Sequence, residues 1–157
     1  MASIKTNAMR FLDSAGVSYR QHTYESDGFL DGVAVAKKIG QPKEKVFKTL
    51  VAQGTSRAYY VFVIPAAKAL DLKAAARAVG EKSVGMIKAA DITKVTGYIR
   101  GGCSPIGMKK AYKTVIDVSC AKQYTIIFSA GKIGCQIEMR PDDLINIIHC
   151  KIENIVL

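Results

Sequence analysis

Two strand-forming runs stand back to back in the first half of the chain, and they constrain the fold more than any other feature. Residues 46–53 (VFKTLVAQ) and 58–64 (AYYVFVI) are rich in β-branched and aromatic side chains, the types that suit a pleated, half-buried surface. Gly54-Thr55-Ser56 between them suits a hairpin turn, so the runs should pair antiparallel. A helical middle follows. Asp71 is placed to cap LKAAARAV, Gly80 to end it, and residues 88–95 form a second helical stretch closed by Gly97. Three more strands are expected at 114–118, 124–128 and 133–139, then a last helix from Pro141. Proline loses nothing in a first turn, and Asp142 and Asp143 complement the helix dipole. Upstream, Ser3 is the expected cap of a helix carrying Ile4, Ala8, Phe11, Leu12 and Ala15 that Gly16 ends. Residues 17–24 read as a strand, and residues 33–39 as a short helix stopped by Gly40 and Pro42. Strands in runs with helices inserted between them, without βαβ alternation, predict an α+β fold with a mixed, mostly antiparallel sheet.

The 157 residues suffice for one domain with a substantial core, so residues 1–157 are expected to form a single domain. Hydrophobic residues make up 49% and charged residues 23%, which excludes a disordered chain. Lys and Arg number 23 against 13 Asp and Glu, a net charge of +10 and a pI near 9.5. Such a field attracts polyanions, nucleic acid among them; lysines that only keep the surface soluble give the same count. No run approaches the roughly 20 apolar residues of a membrane span, and the first residues lack a secretory apolar core, so a cytoplasmic protein with no membrane partner is expected. Cys103, Cys120, Cys135 and Cys150 form no C-x-x-C pair and are expected as free thiols rather than metal ligands.

Chemistry is concentrated in three places. Lys48 interrupts the apolar run Val46-Phe47-Lys48-Thr49-Leu50-Val51; it either points outward on a polar face or stands as a cation in a cleft, able to hold a carbonyl oxygen, a ribose hydroxyl or a phosphate. Two glycine-rich segments, GYIRGGCSPIG at 97–107 and SAGKIG at 129–134, either make ordinary tight turns or aim bare N–H groups at an oxyanion or phosphate. Neither has the G-x-x-x-x-G-K-[ST] spacing of a nucleotide-binding P-loop. Nucleophilic machinery is sparse, because only His22 and His149 could serve as a base, one on an expected strand and one at the end of the last helix. Cys103 beside Ser104 admits a nucleophile reading, and a small buried thiol is the alternative.

Taken in order, VFKTL, Thr96-Gly97-Tyr98 with GGCSPIG, and SAGKIG, together with His22-Thr23-Tyr24 and Asp71-Leu72-Lys73, resemble the YbaK family. That family comprises free-standing editing deacylases and the editing domain inserted in some prolyl-tRNA synthetases. The resemblance implies a sheet or barrel with surrounding helices and hydrolysis of the ester joining an amino acid to the tRNA 3′ end, with Cys-tRNA(Pro) as substrate of the free-standing members. It implies Lys48 as the essential lysine, Tyr24, Phe29 and Tyr98 as pocket residues, and Gly101 and Ser129, with the neighbouring Gly102, as substrate-orienting residues. No cofactor or metal is implied.

The resemblance further implies that the thiol of the substrate cysteine attacks its own ester and leaves as a thiolactone, so that positioning replaces a protein nucleophile. One departure is expected to matter: Gln136 stands where a member of the family carries an aspartate, which bears on the choice between cysteine and alanine. Lys109, Lys110 and Lys113 are expected to meet acceptor-end phosphates of tRNA(Pro), or else form a solvated surface run. Prolyl-tRNA synthetase is an expected transient partner, and DNA is not an expected ligand. The alternatives are an Ala-tRNA(Pro) deacylase and a non-enzymatic tRNA- or synthetase-binding protein.

Overall fold

The computed structural model describes residues 5–26, 28 and 30–157. Ser3 and Ile4, expected in the first helix, and Phe29, expected in the pocket, lie outside the described residues. The expected hairpin is present: β2 (Phe47–Gly54) and β3 (Tyr59–Pro65) pair antiparallel, with Lys48 opposite Ile64 and Val51 opposite Val61. Around it lies a five-stranded sheet in the order β4-β2-β3-β5-β8, with β4 at Val84–Met86, β5 at Lys113–Asp117 and β8 at Lys151–Glu153. A second sheet of three strands has the order β1-β7-β6, with β1 at Arg20–Thr23, β6 at Ile126–Lys132 and β7 at Cys135–Met139. The pairs β1–β7, β6–β7, β2–β3 and β2–β4 are antiparallel and the pairs β3–β5 and β5–β8 parallel. The fold is therefore α+β with mixed sheets, mostly antiparallel, as expected.

Strand β3 reads as an unbroken apolar run because both of its faces are covered. Its period of two sends Val61 and Val63 to one side and Phe62 and Ile64 to the other. Val61 and Val63 join Phe47, Ile116, Phe128, Ile137 and Met139 in a core closed between the two sheets, to which α1 (Asn7–Ser14) contributes Ala8, Met9 and Leu12, and α5 (Pro141–Ile148) contributes Leu144. Phe62 and Ile64 join Ala52 and Val115 under α3 (Leu72–Val79), whose Ala75, Ala76, Ala78 and Val79 let it lie close to the sheet. Deleting a buried side chain such as Phe62 to Ala in a core of this kind costs about 3–5 kcal/mol.

Helix ends follow the capping residues. Asp71 accepts from the amides of Lys73 and Ala74, and Gly80 closes α3 at φ 73°. Asp31 caps α2 (Gly32–Ile39) by accepting from Ala34, and Gly40 ends it at φ 68°. Thr6 caps α1. Residues 88–95, expected as one helical stretch, divide into a 3₁₀ turn, Ala89–Asp91, and α4 (Ile92–Thr96), with Gly97 left-handed after it.

Two short strands, β4 and β8, were not expected. Three residues each cannot display a period, and both lie at sheet edges where pairing comes from what stands beside them. The expected strands at 124–128 and 133–139 are shifted: β6 runs on through Ser129-Ala130-Gly131-Lys132, and its register with β7 breaks between Ser129 and Lys132. Gly131, at φ 101°, sits in that irregularity, where glycine takes a backbone angle other residues resist. The sheets meet where Val46 forms a parallel bridge with Ile127.

Candidate active site

At this junction is an open cavity of about 340 Å³. Tyr24, Lys48, Gly101, Ser129 and Gln136 all line it, so five residues expected in the site from separate parts of the chain come together. Tyr98 and Gly102 do not line it. Lys109, Lys110 and Lys113 are exposed and lie outside its lining; the Lys109 ammonium donates to the carbonyl of Lys94 at 3.2 Å.

Lys48 is half-buried at the start of β2. Among the described residues no hydrogen bond or ion pair engages its ammonium. Of the two readings of this lysine, the structure selects the cation at a cleft. Beside it, the buried Thr49 hydroxyl oxygen also lacks a partner, and its neighbour across β2–β3, Val63, offers none. Unmet polar atoms are rare in folded interiors, and Thr49 carries one at this wall.

Another part of the lining is built by cross-strand neighbours. Gln136 is paired with Ser129 on one side and His22 on the other, and it is almost fully buried, at 5% exposure. Ser129 Oγ accepts from the Gly131 amide at 3.1 Å, and the Tyr24 amide donates to the carbonyl of Gly134 at 3.0 Å, which closes the β6–β7 turn against β1.

The two glycine-rich segments, unconnected in sequence, pack against each other. Tyr98 is the post between them: its hydroxyl donates to the carbonyl of Ile106 at 2.5 Å, and burial pushes its phenol up to about 12. A Cβ on Gly131 would stand 2.7 Å from the Tyr98 ring, and one on Gly107 would stand 2.9 Å from its hydroxyl. Gly102 lies against Lys132 and Ile133, with 3.3 Å to a would-be Cβ. Tyr98 and Gly102 thus pack the loop that carries Gly101 against the turn after β6.

No histidine lies in the described lining. His22 Nε2 is 2.7 Å from Glu138 Oε1, Lys45 Nζ is 2.9 Å from Oε2, and Thr125 donates to the same oxygen. Burial opposes ionisation of Glu138, but Thr125, His22 and Lys45 outweigh it and pull the carboxyl down to about 2. His149 takes the left-handed position that ends α5. Cys103 does line the cavity, yet burial pushes its thiol up to about 11 despite the opposing Thr96 hydroxyl; a thiol held neutral is a poor nucleophile. The four cysteines are unbridged. Among the described residues no three His, Cys, Asp or Glu side chains converge as metal ligands, and no helix is long and apolar enough to cross a membrane.

Sequence reasoning missed Asp31, Thr49 and Arg100, which also line the cavity. Asp31 carried a signal as the residue before GVAVAKKI, where it fits an N-cap; that it faces the cavity depends on where α2 docks.

A family model described as the aminoacyl-tRNA editing domain matches residues 31–147. A protein of Enterococcus faecalis that carries the provisional name Cys-tRNA(Pro)/Cys-tRNA(Cys) deacylase EbsC is 42% identical over 146 residues, covering 92% of this chain and 89% of the relative. Among solved structures, a hypothetical protein superposes with a TM-score of 0.89 at 18% identity, covering 97% of this chain and all of the other. A candidate trans-editing enzyme for prolyl tRNA synthetase superposes with a TM-score of 0.83 at 19% identity, covering 99% of both chains. At these identities the superpositions speak to the fold alone.

Proposed function

The chain belongs to the aminoacyl-tRNA editing domain family, and from that premise we propose that it is a trans-editing deacylase whose substrate is mischarged Cys-tRNA(Pro). The observation that carries the reading is the convergence of Lys48, Gly101, Ser129, Gln136 and Tyr24 on one cavity in a chain 42% identical to a relative named for this deacylation. Residues 1–157 act as one deacylase domain, in the cytoplasm, where the substrate is made.

The ester of Cys-tRNA(Pro) enters beside Lys48. Its carbonyl oxygen gathers charge in the tetrahedral intermediate, and the Lys48 ammonium and the backbone about Gly101 stabilise it. Ser129 and Gln136 orient the aminoacyl group, and Tyr24 encloses it. The attacking atom is the substrate's own thiol sulfur. A new S–C bond forms to the ester carbon, the C–O bond to the ribose breaks, and the proton lost by the thiol ends on the ribose oxygen, leaving free tRNA and a four-membered thiolactone that water opens. Holding sulfur and carbonyl in reactive geometry supplies much of the rate, since proximity in well-oriented intramolecular reactions is worth up to roughly 7–11 kcal/mol. The arrangement fits a cavity whose described lining has one thiol, Cys103, held neutral, and no histidine.

Cysteine enters a proline-charging site because a pocket discriminates against a smaller side chain by only about 1–3 kcal/mol per methylene. A second, hydrolytic site restores accuracy. Exposed Lys109, Lys110 and Lys113 take acceptor-end phosphates, and prolyl-tRNA synthetase supplies tRNA selection in a transient complex.

S-methylcysteinyl-tRNA(Pro) tests the chemistry. With the sulfur blocked, release of the amino acid should fall to the uncatalysed rate, while Cys-tRNA(Pro) is cleared rapidly. Equal release from both esters would rule out the substrate thiol as nucleophile.

A further inference from the structure

The cavity is lined by two side-chain cations, Lys48 and Arg100, and among its described lining residues Asp31 is the single carboxylate. The substrate proposed above brings charges of both signs: phosphates, and an α-ammonium that is largely protonated near neutral pH. The Lys48 ammonium answers the first and repels the second. An ammonium one bond from the scissile carbonyl therefore needs an anion at the cavity, and the neutral Gln136 cannot supply it.

Asp31 is fixed well enough to do so. Its Oδ1 accepts from the Ala34 amide at 2.8 Å as the N-cap of α2, and among the described residues its Oδ2 carries no hydrogen bond. The helix is seated by close packing. A Cβ on Gly32 would come within 2.3 Å of the Ala66 Cβ, so only glycine lets α2 approach the end of β3, and Ala36 is buried against Ala66 and Val46. The carboxylate thus stands at the cavity with one oxygen committed to the fold and one open.

We propose that Asp31 is the residue that recognises the substrate's α-ammonium, orienting the aminoacyl group so that its ester faces Lys48. This rests on the deacylase reading and adds a specificity determinant to it. Acyl groups without an α-ammonium are selected against, and the choice among amino acids is left to the deeper wall around Gln136.

The test is a double comparison. Asp31→Asn and Asp31→Ser keep a good N-cap and remove the charge. Each is assayed beside wild type on Cys-tRNA(Pro) and on 3-mercaptopropionyl-tRNA(Pro), which keeps ester and thiol and lacks the ammonium. A hydrogen bond to a charged group, discounted for the exposure of Asp31, is worth about tenfold in kcat/KM. Wild type should lose about tenfold on the analogue, the variants should lose about as much on Cys-tRNA(Pro), and variants and wild type should be equal on the analogue. Variants with wild-type turnover of Cys-tRNA(Pro), or an equal fold-loss on both substrates, overturn the assignment. Thermal melts run in parallel exclude a failed fold, with Asp31→Ser standing in should the asparagine variant melt early. A wild-type protein inert on Cys-tRNA(Pro) is a different result, and sinks the deacylase reading itself.

Discussion

Lys48 and Cys103 share one cavity and differ in what burial does to them. The thiol needs to lose a proton to act, and burial pushes it up to about 11; the lysine, proposed to act as the cation, has no competing partner among the described residues. Cys103→Ala should therefore leave deacylation within about twofold, since surface-like losses without a named mechanism are small, and iodoacetamide at pH 7 should inactivate slowly or not at all. Loss of turnover in that variant would return the thiol to the mechanism. Lys48 was readable in the sequence because a charge in an otherwise apolar strand is conspicuous. Asp31 and Thr49 were not, because aspartate before a helix and threonine in a strand are ordinary residues until the docking of α2 and β2 puts both at one cavity.

At the scale of elements, the readable features were those whose cause is local. The β2–β3 hairpin, the Asp71 cap with its Gly80 stop, and Pro141 at the start of α5 depend on residues a few positions apart. Strands β4 and β8 escaped because their partners, β2 and β5, are distant in sequence. The segment SAGKIG read as a loop because glycine in a strand is uncommon; its first four residues end β6 and its last two make the turn to β7, and Gly131 is there because the Tyr98 ring leaves no room for a side chain. Gly131→Ala should cost stability twice, through a left-handed backbone and through a 2.7 Å contact with Tyr98, together on the order of 2–3 kcal/mol by denaturant unfolding. The same variant should slow deacylation, as the loop carrying Gly101 is displaced. An alanine variant with wild-type stability would show that the two loops are not held as described.

Across the whole molecule, the α+β class and the basic charge followed from composition and segment order, whereas the closure of two sheets around one core did not, since Val46 and Ile127 meet only in the folded chain. Glu138 ties that closure together, joining β1 through His22, β7 through its own backbone and the 3₁₀ turn before β2 through Lys45. Its carboxyl lies near 2 in the fold against an ordinary value of 4.5. A lowered folded value means that the stabilisation is present above about pH 4.5 and is lost as pH falls toward 2. Wild type should thus lose on the order of 2–3 kcal/mol from this group over that interval. Glu138→Gln should be less stable at pH 7 and converge with wild type at the acid end. Parallel stability curves for the two proteins would remove Glu138 from this role.

The proposed deacylation cleaves the cysteinyl ester of mischarged tRNA through Lys48 and the substrate's own thiol. The most direct measurement is the rate of amino-acid release from Cys-tRNA(Pro), Ala-tRNA(Pro) and Pro-tRNA(Pro), for wild type and Lys48→Ala side by side. Rapid release of cysteine alone is expected, reduced about 10²–10³-fold in Lys48→Ala with an unchanged melting temperature. Comparable release of alanine, or a Lys48→Ala protein as fast as wild type, would contradict the proposal.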